Sequence, residues 1–220
     1  MMVVIEGLDG SGKTTLLQGL KERFERLGHE VVCVREPGST KLAEEIRTLL
    51  KSPEYAESMT DMSELLLFYA ARRSVLEHVT VPALNAGKIV LYDRFNVSTM
   101  AYQGLGLGLL PEVQALTKMV LEDFRPDLYV YVDVNEKVAL ERRKAATELD
   151  RIEQKGEAYL ARVKTGFDIA LRDCGSRFMT VDGNQPIKQL ADSTFDEVYM
   201  FLMKEYNRAT SPSKIVSSRK

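Results

Sequence analysis

Features that often identify a class of protein are scarce in this chain. It has two cysteines, Cys33 and Cys174, and two histidines, His29 and His78, in 220 residues, with no C-x-x-C spacing. The cysteines therefore fit core or surface thiols better than metal ligands, and neither histidine lies in a motif. No apolar run approaches the ~20 residues that a membrane-spanning helix needs. Thiol metal sites and membrane spans are disfavoured, and the sequence predicts a cytoplasmic protein.

The chain also lacks an excess of either charge. Its formal net charge is −2, from 30 basic and 32 acidic residues, so no broad electrostatic field for nucleic acid or an anionic membrane is indicated. Because 45% of its 220 residues are hydrophobic, it can bury one core. We expect a single domain over residues 1–206 and a flexible polar tail over 207–220.

Short runs of β-branched and aromatic residues alternate with longer helical patterns. This alternation predicts an α/β fold, a doubly wound parallel sheet of five strands flanked by helices. Ligands of such sheets bind beyond the carboxyl ends of the strands. The glycine-interrupted residues 103–110 are typical of a flexible loop. The predicted strands are 2–6, 30–35, 88–92, 128–133 and 178–182, and the predicted helices are 13–27, 41–50, 61–84, 111–124, 136–146, 156–173 and 186–206.

A complete G-x-x-x-x-G-K-[ST] motif follows the first predicted strand and leads into a helix. The backbone N–H groups of such a loop can surround phosphate oxygens, Lys13 can reach the β- and γ-phosphates, and Thr14 can ligate Mg²⁺. A glycine-rich turn without a ligand is the alternative, but this strand and helix context favours nucleotide binding. The residues expected to bind ATP are Gly7, Leu8, Asp9, Gly10, Ser11, Gly12, Lys13, Thr14 and Thr15.

Three further groups of residues could carry chemistry or could be structural. Asp93 and Arg94 follow the third predicted strand, where they could hold Mg²⁺ and a phosphate, or cap the next segment as an ion pair. Phe68 and Arg72 share a helical face and could contact a pyrimidine ring and its carbonyl, although Phe68 alone is more typical of a core residue. The basic run 141–151 could be a solvated helix face or could deliver an arginine to a transferring phosphoryl group.

Seven motifs, in this order, resemble those of the thymidylate kinase family, which passes the γ-phosphoryl group of ATP to dTMP. The similarity extends from residue 2 to about residue 190. It implies a P-loop kinase fold with a mobile lid at about 141–155, Mg²⁺ as cofactor, ATP and dTMP as substrates, a homodimer, and a role in dTTP biosynthesis. The motifs are EGLDGSGKTT (6–15), REPG (35–38), LLLFYAARR (65–73), DRF (93–95), AYQG (101–104), FRPDLYVYVDV (124–134) and ELDRIE (148–153).

The resemblance also implies roles for individual residues. Lys13 and Thr14 would bind ATP and its metal, and Asp93, from its position after the third predicted strand, is the second expected metal ligand. Phe68 would stack on thymine, Arg72 would donate to its O4, and residues 184–186 would lie beside the donor adenine. The expected acceptor-binding residues are Asp9, Glu36, Pro37, Arg47, Phe68, Arg72, Arg94, Thr99, Tyr102 and Gln103.

The chain departs from the family pattern in its arginines. Some relatives carry an arginine within the P-loop, where this chain has Gly10, and others carry one just before the lid motif, where it has Ala146 and Thr147. The resemblance therefore implies a catalytic lid arginine at another position, which the sequence leaves open. The expected catalytic residues are Lys13, Asp9 and Arg94 with Arg142, Arg143 or Arg151.

Other functions within reach of the same motifs stay open at this point. A deoxynucleoside kinase or a broader deoxynucleotide kinase would share most of these residues. A P-loop switch or binding module would need no phosphoryl acceptor, but the guanine-binding signature N-K-x-D is absent from the sequence.

Overall fold

The computed structural model describes residues 1–135, 138–139, 142, 151–152 and 155–210. These residues form a five-stranded parallel sheet with helices on both faces, as the alternation of patterns predicts. The strands are β1 (Met2–Glu6), β2 (Val31–Arg35), β3 (Ile89–Asp93), β4 (Leu128–Asp133) and β5 (Phe178–Asp182). The α-helices are α1 (Lys13–Arg26), α2 (Lys41–Lys51), α3 (Asp61–Val75), α4 (Val81–Asn85), α5 (Asn96–Thr99), α6 (Leu110–Leu121), α7 (Glu157–Asp173) and α8 (Ile187–Thr210).

The strand order is β2-β3-β1-β4-β5, so β1 lies at the centre between β3 and β4. Successive side chains of a strand point to opposite faces of a sheet. Met2 and Val4 accordingly join the core on one face, while Val3 and Ile5 join the core on the other. A central strand that is apolar at every position is typical of a sheet covered on both faces. Because β1 and β3 are parallel neighbours, the loops that follow them emerge side by side at the carboxyl end of the sheet.

The segment predicted as one helix over 61–84 contains a π-helical turn at Leu76–Thr80, between α3 and α4. Pro82 at the start of α4 has no N–H to donate, and π-turns are one way in which a helix accommodates such a residue.

The prediction of a flexible loop at 103–110 is wrong for most of that segment. A π-helical turn covers Met100–Leu105, residues 106 and 107 are also helical, and α6 begins at Leu110. Two glycines permit close packing against α7. A Cβ at Gly106 would lie 2.6 Å from Cε2 of Tyr159, and a Cβ at Gly166 would lie 2.7 Å from Cα of Ala101.

The last helix, α8, runs to Thr210, four residues beyond the predicted helix end at 206 and into the predicted tail. The rest of that tail, 211–220, and most of the predicted helix 136–146 and lid 141–155 lie outside the described residues. None of the described helices is long and apolar enough to span a bilayer.

Candidate active site

The loop after β1 has the backbone geometry that phosphate binding requires. Gly10 and Gly12 have φ angles of 81° and 100°, a region that side-chain-bearing residues rarely adopt. A Cβ at Gly10 would also lie 2.2 Å from the carbonyl oxygen of Ala139. A side chain at this position would therefore clash with the chain after β4. Gly12 caps α1, so the loop N–H groups lie at the positive end of a 14-residue helix.

Lys13, the first residue of α1, turns back over this loop. Its ammonium group is buried and donates to the carbonyl oxygen of Leu8 at 2.8 Å. Burial, together with the positive charge of Arg94, lowers the pKa of Lys13 from its ordinary value of 10.5 to about 8. Anionic phosphates in the loop would reverse this shift, because a nearby opposite charge stabilises the protonated form.

Thr14 and Asp93 form a pair of oxygen donors beside the loop. The Thr14 hydroxyl donates to the Asp93 carboxylate at 3.0 Å, which joins the start of α1 to the end of β3. Hydroxyl and carboxylate oxygens suit Mg²⁺, which is commonly held by one or two protein oxygens plus substrate phosphates. No group of three or more metal-ligating side chains occurs within the described part of the chain. The donor set thus fits a metal that enters together with nucleotide phosphates.

Two clefts open beside the loop. The P-loop cleft is lined by Asp9, Gly10 and residues 12–15 of the loop, by residues of β2 and β3, and by Arg142. The second cleft is lined by residues from α2, α3 and the 94–103 segment, and all ten residues that the sequence predicts for acceptor binding are among them. The residues common to both clefts are Asp9, Glu36, Arg47 and Arg94.

Arg94 stands in the wall that the two clefts share. Its Nη2 donates to Asp9 at 2.7 Å, and its Nη1 donates to the hydroxyl of Ser98 at 3.0 Å. The guanidinium lies over the ring of Tyr102, 5.1 Å from the centroid. A guanidinium has five N–H groups, and these contacts leave donors that can reach a phosphate. The neighbouring Asp9 raises the pKa of Arg94 even though burial lowers it, so the side chain stays charged.

Arg72 lies beneath the second cleft in a cage of acceptors. Only 1% of it is exposed. Its Nε donates to Glu36 at 2.8 Å, Nη2 to Thr99 at 2.8 Å and Nη1 to Asn96 at 3.2 Å. Two further N–H groups remain for a ligand carbonyl. These contacts fix the orientation of the guanidinium, and Phe68 lines the same cleft.

Glu36 lines both clefts. It follows β2, is buried, and pairs with Arg72 through Oε2. Its Oε1 is buried without a hydrogen-bond partner among the residues that the structure describes. Burial raises the pKa of Glu36, although the charge of Arg72 opposes the shift. The bond to the next residue, Pro37, is cis, and Arg47 donates to the Pro37 carbonyl at 2.9 Å.

The candidate lid arginines differ in their surroundings. Arg142 lines the P-loop cleft and donates to the carbonyl of Gly183 at 2.8 Å, beside residues 184–186. Arg151 is buried and donates to Glu64 at 2.7 Å and to the Leu50 carbonyl at 3.0 Å. Among the described residues, Arg151 is in the lining of neither cleft. Arg143 lies outside the described part of the chain.

Two buried carboxylates near the clefts do not appear among the residues predicted from the sequence. Glu64 accepts from Arg151 and from Gln103, and thereby connects α3 to the second cleft. Glu6, at the end of β1, accepts from the turn after Arg94. For Glu6 a signal exists, because a charged residue ends an apolar strand directly before the P-loop.

A P-loop at the centre of a parallel sheet, joined to a second cleft through a shared arginine and aspartate, defines a P-loop nucleotide kinase. The model of the family described as "Thymidylate kinase" matches residues 5–194. A "Thymidylate kinase" of Legionella pneumophila (strain Corby) is 36% identical over 202 residues, which cover 91% of this chain and 95% of the relative. One of Shewanella sp. (strain MR-4) is 40% identical over 189 residues, 86% of this chain and 90% of the relative. The chain belongs to the thymidylate kinase family.

Proposed function

We propose that this chain transfers the γ-phosphoryl group of ATP to dTMP, which yields ADP and dTDP and serves dTTP biosynthesis. The observation that carries the proposal is the junction of the two clefts at Asp9, Glu36, Arg47 and Arg94. A triphosphate in the P-loop and a monophosphate in the second cleft would meet there. Membership of the family makes the chain a kinase, and we assign residues to each of its two substrates.

The donor side is assigned to the P-loop, residues 7–15, with Lys13 on the β- and γ-phosphates. Thr14 and Asp93 would hold Mg²⁺, since their oxygens lie 3.0 Å apart beside the loop. When bound there, Mg²⁺ would neutralise charge on the phosphate oxygens. Arg142 is the lid candidate that we favour for the donor, because it lines the P-loop cleft.

The acceptor side is assigned to the second cleft. Phe68 would stack on the thymine ring, and Arg72 would donate to the O4 carbonyl. A guanidinium only donates, so it pairs with a carbonyl and rejects the amine of cytosine. Arg94 would bind the acceptor phosphate. The remaining residues assigned to the acceptor are Asp9, Glu36, Pro37, Arg47, Thr99, Tyr102 and Gln103.

Phosphoryl transfer in such a site depends on positioning and on charge neutralisation. The attacking oxygen belongs to a phosphate monoester, whose second pKa of about 6 leaves it anionic near pH 7. No side chain is then required as a general base. Lys13 and Arg94 would hold two mutually repelling anions in line, and closure of the lid would exclude water.

We also propose that two copies of the chain associate. Apolar side chains are exposed on α2 (Leu42 and Leu49) and on α3 (Met62 and Leu66), and these two helices pack side by side. These exposed side chains would be covered in a homodimer, which the family resemblance implies. Light scattering on the purified protein tests it, with Leu66→Glu expected to shift the mass towards that of a monomer. The cytoplasmic location stays a prediction from the sequence.

The test of the proposed activity is ADP release in a coupled assay across a panel of acceptors. We expect release that depends on dTMP and is weak with dCMP and dGMP. Equal rates with all monophosphates would refute the assignment of the second cleft to thymine. ADP release that needs no acceptor would instead favour a P-loop switch.

A further inference from the structure

Glu6 is a buried carboxylate that serves one turn of the chain. It is the last residue of β1 and is fully inaccessible to solvent. Its Oε1 accepts from the backbone N–H groups of Phe95 and Ser98 at 2.9 Å and 3.2 Å, and its Oε2 accepts from the Ser98 hydroxyl at 2.5 Å. All three donors belong to the segment directly after Arg94.

This segment needs restraint because Arg94 has an unfavourable backbone conformation. Its φ of 69° lies in the left-handed region, which a residue with a Cβ adopts at a cost. The Arg94 N–H donates to the carbonyl of Ile5 at 3.0 Å, and the next N–H, of Phe95, donates to Glu6. Such conformations persist where the surroundings impose them. Here the end of β1 supplies both acceptors.

The same carboxylate also orients the Arg94 side chain through Ser98. A hydroxyl has one proton to donate. Because Ser98 donates it to Glu6, its oxygen presents lone pairs to Arg94, whose Nη1 donates to it at 3.0 Å. The guanidinium is thus held between Ser98 on one side and Asp9, at 2.7 Å, on the other.

We propose that Glu6 is a positioning residue for Arg94: by accepting from Ser98 and from the turn at residues 94–98, its carboxyl group holds the guanidinium in the wall between the two clefts. The proposal rests on the proposed function for the consequence of that position. The carboxylate destabilises the fold when it is ionised, because burial raises the pKa of Glu6 to about 7. The titratable groups that interact with its charge are Arg94, Lys13, Tyr129 and Cys174.

The test is Glu6→Gln, with the surface substitution Glu30→Gln as the matched control. Glutamine keeps one oxygen for the two backbone donors, but its amide N–H₂ faces Ser98 and forces the hydroxyl to turn. We expect the KM for dTMP to rise about tenfold, kcat to fall, and the KM for ATP to stay within about twofold. The melting temperature at about pH 8 should not fall, because a buried charge is removed.

A purely structural role predicts the opposite pattern, a lower melting temperature with unchanged constants for the folded fraction, and that result would overturn the proposal. Equal changes in both KM values would overturn it as well. If Glu6→Gln does not fold, Ser98→Ala is the second variant. It keeps the carboxylate but removes the hydroxyl that connects Glu6 to Arg94, and it should raise the KM for dTMP by about threefold or more.

A spectroscopic readout separates this proposal from the activity itself. In ¹⁵N-labelled protein, the Nε–H signal of Arg94, assigned by its loss in Arg94→Lys, should shift or broaden in Glu6→Gln and not in Glu30→Gln. If the unmodified chain fails to phosphorylate dTMP while this signal responds, the proposed function fails and the positioning role stands. An unchanged Arg94 signal would refute the positioning role whatever the activity.

Discussion

Replacing Arg72 with alanine should destabilise the protein far more than replacing Arg73, its neighbour on α3. Arg72 is 1% exposed and pairs with the buried carboxylate of Glu36 at 2.8 Å. Its guanidinium also lies 5.0 Å from the ring centroids of both Tyr69 and Phe95. Arg73 is about half exposed and pairs with Glu77 one helical turn away. The two substitutions remove the same side chain from different environments.

The expected magnitudes follow from burial. Breaking a buried ion pair from one side leaves an uncompensated charge and costs about 3–5 kcal/mol. For a chain of this length, that corresponds to a fall of about 6–20 °C in the melting temperature. An exposed pair such as that of Arg73 contributes about 0.2–1 kcal/mol. Its loss should lower the melting temperature by less than about 4 °C.

The pH dependence tests the cause of the effect. Arg72 partly offsets the rise that burial produces in the pKa of Glu36, so its removal should raise that pKa further. A carboxyl whose folded pKa is raised favours folding below its unfolded pKa and loses that contribution as pH rises through the folded pKa. The loss of stability caused by Arg72→Ala, measured as the fall in melting temperature, should therefore be larger at about pH 8 than at about pH 5. The double variant Glu36→Gln/Arg72→Met, which removes both charges, should recover part of the loss.

Thermal unfolding by circular dichroism at both pH values measures these differences. If Arg72→Ala lowers the melting temperature by no more than Arg73→Ala does, the inference from burial is refuted. If the fall in melting temperature caused by Arg72→Ala is no smaller at low pH, lost packing rather than the unpaired carboxylate of Glu36 causes it.

Three further predictions follow from other parts of the molecule. Phe68→Ala should raise the KM for dTMP about 5- to 150-fold, the value of stacking on one base, while the KM for ATP stays unchanged in initial-rate assays. Because the pKa of Lys13 is about 8 without ligand, ATP binding should take up a proton at about pH 9 and should not at about pH 6.5. Calorimetry in two buffers of different ionisation enthalpy measures this uptake, and a binding heat at about pH 9 that is the same in both buffers would contradict it. Gly166→Ala should lower stability by about 1–3 kcal/mol, since the added Cβ would lie 2.7 Å from Cα of Ala101, whereas the exposed Thr165→Ala on the same helix should change the melting temperature little.

Much of the fold and part of the site can be predicted from the sequence because they rest on local patterns. The alternation of apolar runs with helical periods predicted all five parallel strands within about one residue at each end. The spacing of Phe68 and Arg72 placed both beside one cleft, because residues four apart share a helical face. The G-x-x-x-x-G-K-[ST] motif predicted a phosphate-binding loop after β1, and the structure adds that Gly10 and Gly12 of this loop have left-handed backbone conformations.

Other features depend on partners that no local pattern specifies. Arg151 pairs with Glu64, 87 positions earlier in the chain, and so lies apart from the P-loop cleft. The glycines of 103–110 indicated a loop, whereas close packing against α7 makes most of that segment helical.

The sequence alone determined a P-loop, a doubly wound sheet and a set of polar residues at the strand ends, because backbone geometry and side-chain period are encoded over a few neighbouring residues. Only the tertiary structure decided how those residues are oriented. Glu6 contacts a turn almost ninety residues later, and Arg94 is held there between Ser98 and Asp9. The reason is physical: a buried polar group must find hydrogen-bond partners, and which partners it meets depends on how distant strands are brought together in the sheet.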